Sequence, residues 1–204
     1  MATKLRVGVL GATGMVGQRF VALLAEHPWF EVTLVAASPG SAGKTYAQAV
    51  AGRWAMSSPV PPATAGLVVT DAADVARNAA ACDFVFCAVD MDKAATAGLE
   101  EDYARAETPL VSNNSAHRGT PGVPMMIPEI NADHTDVIAA QRQRLGTKRG
   151  FIAVKPNCSL QSYVPAIHPL LAYEPSKIAV CTYQAISGAG KTFESWPEMI
   201  DNVI

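Results

Sequence analysis

The segment Gly11-Ala12-Thr13-Gly14-Met15-Val16-Gly17 stands between an apolar run at residues 5–10, broken only by Arg6, and an apolar-periodic run at residues 18–26. Strand, glycine turn, helix is the order of the phosphate-binding unit of a doubly wound sheet. Glycines let the backbone approach a pyrophosphate, and the helix N-terminus adds unpaired amides and the positive end of its dipole. The spacing is G-x-x-G-x-x-G rather than G-x-G-x-x-G, so the turn is a variant fingerprint. Its position between strand and helix is what marks a dinucleotide site.

The remaining chain keeps the same alternation. Strands are expected at residues 31–37, 67–70, 82–89, 110–112 and 151–154, with helices at 71–80, 92–106 and 132–144. This pattern predicts an α/β domain built on a doubly wound, mostly parallel Rossmann-type sheet. Residues 52–65, with Pro59, Pro61 and Pro62, read as an irregular excursion over the adenine, and the prolines of residues 123–131 hold that run extended. Pro165 and Pro169 are expected to kink or shorten the helix after Cys158. A further strand at 177–186 and a helix at the end of the chain would open a second unit. The expected division is a nucleotide-binding domain at 1–157 and, at 158–204, the beginning of an α+β catalytic and dimerisation domain.

The second strand ends in Ala36-Ala37-Ser38, where NAD-binding folds place an acid against the ribose 2′-hydroxyl. No carboxylate stands there. Pro39-Gly40-Ser41-Ala42-Gly43-Lys44 supplies hydroxyls, amides and a lysine, which suit a 2′-phosphate, so NADP is favoured over NAD.

A chain of 204 residues that is 50% hydrophobic can bury a real core, and its net charge of −2 gives no electrostatic case for nucleic acid or an anionic membrane. No apolar run is long enough to span a bilayer, and residues 7–10 read as strand rather than as a secretory segment. The 4 cysteines lack metal-ligand spacing and are too sparse for a disulfide scaffold, so a reducing, cytoplasmic setting is expected and no metal site is.

Of these cysteines, Cys158 alone follows a buried strand and precedes a helix. Amides and the helix dipole there favour thiolate over thiol, as a nucleophile requires, and Asn157 with the first helical amides could donate to an oxyanion beside the sulfur. The competing reading is a small buried hydrophobe, the one given to Cys82 and Cys87. Arg118, in the loop Asn113-Asn114-Ser115-Ala116-His117-Arg118 beyond a strand's carboxyl end, could clamp a phosphate or carboxylate. His117 and His168 receive no role. Ala185-Ile186-Ser187-Gly188-Ala189-Gly190-Lys191-Thr192 imitates a P-loop with alanine in place of the first glycine, but a P-loop usually opens the nucleotide domain and the strong phosphate unit is already at the N-terminus, so an NTPase is set aside.

The stretches 11–17, 38–44, 112–118, 123–131, 156–159 and 182–190 together resemble, in order, the aspartate-β-semialdehyde dehydrogenases, with the branch of fungi and archaea most similar. The resemblance implies NADPH-dependent reduction of aspartyl-4-phosphate to aspartate semialdehyde and phosphate, in the biosynthesis of lysine, threonine, methionine and isoleucine. Cys158 is then the nucleophile and Gln184 orients the substrate beside it. Arg118 and Asn157 bind the substrate. Gly11, Thr13, Gly14, Met15, Val16, Ser38 and Ser41 hold the cofactor phosphates, and Ser187 and Gly188 meet its nicotinamide end. The family's acid/base histidine and carboxylate-binding arginine have no counterpart up to Ile204. The expectation is therefore a truncated enzyme, inactive alone and a homodimer or homotetramer at full length. A related acyl-phosphate or acyl-CoA reductase and a non-catalytic NADP-binding module stand as alternatives.

Overall fold

Runs rich in apolar and β-branched residues form the strands β1 (Leu5–Leu10), β2 (Phe30–Ala37), β3 (Thr70–Asp71), β4 (Phe84–Cys87), β5 (Leu110–Ser112) and β6 (Ile152–Val154). In the computed structural model, which describes residues 3–189 and 193–199, all six pair in parallel in one sheet ordered β3-β2-β1-β4-β5-β6. The order runs outward from β1 through β2 to β3, then resumes at β4 on the other side of β1. That reversal is the switch point above which doubly wound sheets bind ligands.

The helices are α1 (Met15–Leu24), α2 (Tyr46–Val50), α3 (Pro62–Ala65), α4 (Val75–Ala81), α5 (Lys93–Arg105), α6 (Pro128–Asn131), α7 (Ile138–Leu145) and α8 (Cys158–Ile167). Short polar side chains start several of them. Asp92 Oδ1 accepts from the amides of Ala94 and Ala95 at the head of α5, and Thr45 and Gln48 form a reciprocal capping box on α2. Two apolar clusters pack on the sheet. One gathers Leu10, Leu34, Val85, Leu99, Tyr103, Leu110 and Ile152; the other gathers Val7, Val9, Val21, Val35, Tyr46 and Val50. Val7 and Val9 fall in one cluster and Leu10 in the other, as the two-residue period of a strand requires, so the sheet is covered on both faces.

Several element bounds differ from the sequence reading. Helix α1 begins at Met15, with Gly14 as its cap, so the last residues of the glycine segment already belong to its first turn. The third strand is only Thr70–Asp71, because residues 67–69 bond back to the Lys44–Tyr46 segment instead and Val68 bridges Thr45 antiparallel. The fourth strand is Phe84–Cys87, shorter than residues 82–89, and α4 starts only after its Asp74 cap. The extended run before α6 holds at Met125, which bridges Val154 in parallel, and ends where Pro128 opens α6. Pro165 lies inside α8 without ending it. It removes the bond to the Gln161 carbonyl, and the helix gives way to a 3-10 turn, His168–Tyr173, that has Pro169 in its first turn.

The chain divides into two contact units, Met1–Gln161 and Ser162–Ile204. The first contains the whole sheet. The described part of the second contains no strand, so the expected strand at 177–186 is not formed. A strand is stable only against a partner, and those exposed residues pair with none among the described residues. The helix expected at the chain's end falls partly outside the described residues, whose last element is a 3-10 turn at Pro197–Met199. Among the described residues no helix is long and apolar enough to cross a membrane.

Candidate nucleotide and nucleophile sites

The glycine turn closes tightly because two of its glycines have no space for a side chain. Gly11 has φ +76°, and a Cβ there would lie 2.3 Å from the carbonyl oxygen of Ala88, the residue after β4. A Cβ on Gly17 would lie 2.1 Å from Gly11 O, so α1 sits directly on the turn that precedes it. Gly14 differs, since a Cβ would meet only Gly11 O at 3.5 Å, leaving its solvent side open. Above this turn is a cleft of about 650 Å³, whose lining includes Gly11, Thr13, Gly14 and Ser38. Its size suits a dinucleotide. Met15 and Val16 are exposed in the first turn of α1 and are not part of the lining. Ser41 is buried behind the cleft, where its Oγ accepts a hydrogen bond from Arg53 Nη2 at 3.1 Å. Lys44 turns back to Gly40 O at 3.0 Å and is also absent from the lining.

Buried polar groups fix this end of the sheet. Tyr46 donates its hydroxyl to Ala12 O at 2.9 Å, and burial pushes its phenol pKa up. Gln18 is 2% exposed and donates to both Thr13 O (3.0 Å) and Arg53 O (3.1 Å) while accepting from Ala55 N (2.8 Å). Neither Gln18 nor Arg53 was singled out by sequence. The signal for Gln18 is a polar residue on the buried side of an amphipathic helix.

Cys158 is the first residue of α8, just beyond the carboxyl end of β6, and it is exposed. Asn157 caps the helix: its Oδ1 accepts from Ser159 N (2.9 Å) and Ser159 Oγ (2.7 Å), and lies 3.7 Å from Cys158 Sγ. Capping commits the oxygen, so the Nδ2 amide is the end of Asn157 that can face an oxyanion. Arg118 reaches the same segment from the loop after β5, donating Nε–H to Lys155 O (3.1 Å) and Nη2–H to Asn113 O (3.4 Å). Lys155 is a further cation here that sequence reasoning missed. Burial, followed by the Arg118 guanidinium, holds its ammonium pKa below the lysine range, while Cys158 pulls it the other way. Arg118, Lys155 and Cys158 thus share one electrostatic neighbourhood at a helix N-terminus.

Behind this loop lies a second unforeseen group. Glu100 of α5 is 0% exposed; its Oε1 accepts from Ser112 Oγ (2.5 Å) and Asn114 Nδ2 (3.2 Å). Its position was readable, since Thr96, Leu99 and Tyr103 share the inward side of α5 with it. His117 is buried too, with Nε2 3.1 Å from Ala97 O and Nδ1 3.0 Å from Thr120 Oγ1, and is a structural residue. Burial pushes the Cys82 thiol up to about 11, and burial with Glu100 pushes Cys87 higher still.

Gln184, Ser187 and Gly188 belong to the second unit. Ser187 and Gly188 form part of the 3-10 turn Ile186–Ala189, and Gln184 lies over Gly188, where an added Cβ would meet its Nε2 at 2.2 Å. Gly190, Lys191 and Thr192 of the P-loop imitation lie outside the described residues.

A parallel doubly wound sheet with a glycine turn at its switch point defines a Rossmann-type dinucleotide-binding protein. Residues 6–138 match the family described as Semialdehyde dehydrogenase, NAD binding domain, and the chain belongs to that family. It is 40% identical over 206 residues to the aspartate-semialdehyde dehydrogenase of Cryptococcus neoformans, covering 98% of this chain and 54% of that protein. The enzyme of the same name from Archaeoglobus fulgidus is 39% identical over 198 residues, covering 97% of this chain and 55% of that protein. The crystal structure of Candida albicans aspartate semialdehyde dehydrogenase with NADP superposes with a TM-score of 0.72 at 35% identity, covering 84% of this chain and 48% of that one. The chain thus spans about half the length of the curated relatives it matches.

Proposed function

We propose that this chain carries the cofactor domain and nucleophile of an NADP-dependent aspartate-semialdehyde dehydrogenase of the cytoplasm, a homodimer or homotetramer at full length. The observation that carries the reading is Cys158, exposed at the N-terminus of α8 and flanked by Arg118 and Lys155. Residues 1–157 form the nucleotide-binding domain, and 158–204 begin the catalytic and dimerisation domain.

NADP fits the glycine turn because Gly14 leaves open backbone where a side chain would stand, and Ser38 ends β2 without a carboxylate. Gly11, Thr13, Gly14 and Ser38 would hold its phosphates. Ser41 would act from behind, Met15 and Val16 through the first-turn backbone, and Ser187 and Gly188 at the nicotinamide end. When bound, NADPH supplies the hydride.

This chain supplies the nucleophile and the groups around it. Cys158 sulfur attacks the acyl carbon of aspartyl-4-phosphate; a C–S bond forms, the C–O bond breaks, and phosphate leaves toward Arg118. Asn157 Nδ2 and the α8 amides stabilise negative charge on the carbonyl oxygen as it develops. After reduction, the C–S bond breaks, releasing aldehyde and returning a proton to sulfur. Capture on sulfur divides one difficult displacement into two easier steps. Gln184 orients the substrate.

The test is NADP reduction by a version of the protein at its relatives' full length, supplied with aspartate semialdehyde and phosphate. Turnover should require phosphate and vanish in Cys158→Ser while NADP binding persists. Turnover that requires coenzyme A instead identifies an acyl-CoA reductase, and turnover that survives Cys158→Ser overturns the nucleophile.

A further inference from the structure

The cleft beside the glycine turn contains a cation to which neither the family resemblance nor the reading above gives a role. Arg53, in the loop after α2, lines the cleft with Ser38, Pro39 and Asp71. Among the described lining residues it is the one cation, facing Asp71 and Asp90 as the other charged groups. Its guanidinium is held on two sides, since Nε–H donates to Ala49 O at 2.9 Å and Nη2–H donates to Ser41 Oγ at 3.1 Å. A guanidinium offers five N–H donors, so three remain for a ligand.

The backbone of Arg53 is fixed as firmly. Gln18 bonds Thr13 O of the phosphate turn and Arg53 O with the same amide nitrogen, and takes the Ala55 amide on its oxygen. One buried side chain therefore sets the separation between the turn that would hold the pyrophosphate and the loop that carries Arg53. Ser38, at the ribose end of β2, lines the same cleft. A phosphate on the ribose 2′-oxygen adds about two negative charges, which a pre-oriented planar donor set recognises better than a mobile ammonium does. Lys44, the cation that sequence suggested, turns one Nζ–H back to Gly40 O and is not among the residues that line the cleft.

We propose that Arg53 is the residue that distinguishes NADP from NAD, binding the 2′-phosphate directly while Ser41 holds its guanidinium and Gln18 anchors its loop. The inference rests on the NADP reading above and names the group that recognises the cofactor.

Calorimetric titration of the 204-residue chain with NADP, NAD, adenosine 2′,5′-bisphosphate and AMP tests it. In Arg53→Met, affinity for NADP and for the bisphosphate should fall about ten- to hundredfold, while NAD and AMP change less than about twofold. Arg53→Lys should recover only part of the preference, because it keeps the charge but not the double hold. Arg53 is exposed, so the variants should melt with the wild type, which separates lost recognition from lost fold. The inference is overturned if NADP and NAD weaken together, if Arg53→Met keeps its preference, or if Lys44→Ala removes it instead. A wild-type chain that prefers NAD overturns the NADP reading itself, and that result is visible before any variant is made.

Discussion

Arg118 donates its Nε–H to the backbone carbonyl of Lys155 across 3.1 Å. The bond joins the loop after β5 to the turn that leads into Cys158, and it brings two cations to the same helix N-terminus. Lys155 N also donates to Ser112 O at 3.1 Å, so the turn is tied to β5 at both ends of that loop. The consequence is a fixed positive field beside an exposed sulfur.

Cys158 should therefore alkylate first among the 4 cysteines. Cys82 and Cys87 are buried and their thiols pushed up, and Cys181 is exposed but is not at a helix start. Limiting iodoacetamide followed by peptide mapping gives the order. Lys155→Met should slow labelling of Cys158 about three- to tenfold at pH 7 by removing a nearby positive charge. The gap should narrow toward alkaline pH, because Lys155 gives up its proton below the usual lysine range. Equal rates for variant and wild type at neutral pH would remove Lys155 from the site.

The glycine turn yields a paired prediction. In Gly17→Ala the new Cβ meets Gly11 O at 2.1 Å, a backbone atom that cannot rotate away. The variant should lose about 1–3 kcal/mol of stability and most of its NADP binding, as overpacked sites do. In Gly14→Ala the Cβ meets nothing nearer than 3.5 Å, so the melting temperature should hold while NADP binding drops. Thermal melts and titrations on the two proteins separate packing from ligand contact. If Gly14→Ala binds NADP normally, the cofactor does not approach that backbone.

Glu107 sets an acid limit on stability. Its carboxylate accepts from the amides of Lys148, Arg149 and Gly150, which lower its pKa to about 2. A depressed folded value means that its stabilisation is complete above the ordinary glutamate range and is lost as pH falls through about 2. Glu107→Gln should melt below the wild type at pH 7, and the difference should close as pH drops from about 5 toward 2. A pH-independent difference would mean that shape rather than charge is responsible.

Local chemistry made much of this legible. The order of β1, turn and α1 followed from glycines set between two different periodicities, and Cys158 stood out because a strand and a helix meet there. What was not legible depends on distant partners. Lys155 matters only once Arg118 folds back on it, and Arg53 reaches the cleft only because Gln18, thirty-five residues earlier, holds its loop. The capping box of Thr45 and Gln48 was present in the sequence and marks α2, yet the serines and glycines before it read as turn. The run at 177–186 shows the opposite error, since strong β propensity made no strand there and the run pairs with no neighbour among the described residues.

The last prediction concerns Glu100, a carboxylate buried completely between α5 and β5. Its Oε1 satisfies the Ser112 hydroxyl and the Asn114 amide, while Oε2 has no hydrogen-bond partner among the described residues and lies 4.0 Å from His117 Nε2. The geometry makes one oxygen the organiser of the loop that leads to Arg118, and leaves the other as a cost. Glu100→Gln keeps a carbonyl oxygen for Ser112 and Asn114, so its loss of stability should be small. Glu100→Leu removes the acceptor of the buried Ser112 hydroxyl, which costs about 1–3 kcal/mol when left without a partner, and leaves the half-buried Asn114 amide only its contact with Cys87 Sγ. Urea denaturation should therefore rank wild type and Glu100→Gln together, well above Glu100→Leu. The loop should loosen in step, so that Arg118 no longer holds Lys155 and Cys158 of the leucine variant alkylates more slowly even under conditions where the protein stays folded. A leucine variant as stable as wild type would show that the acid is not an organising acceptor, and that Ser112 and Asn114 find partners without it.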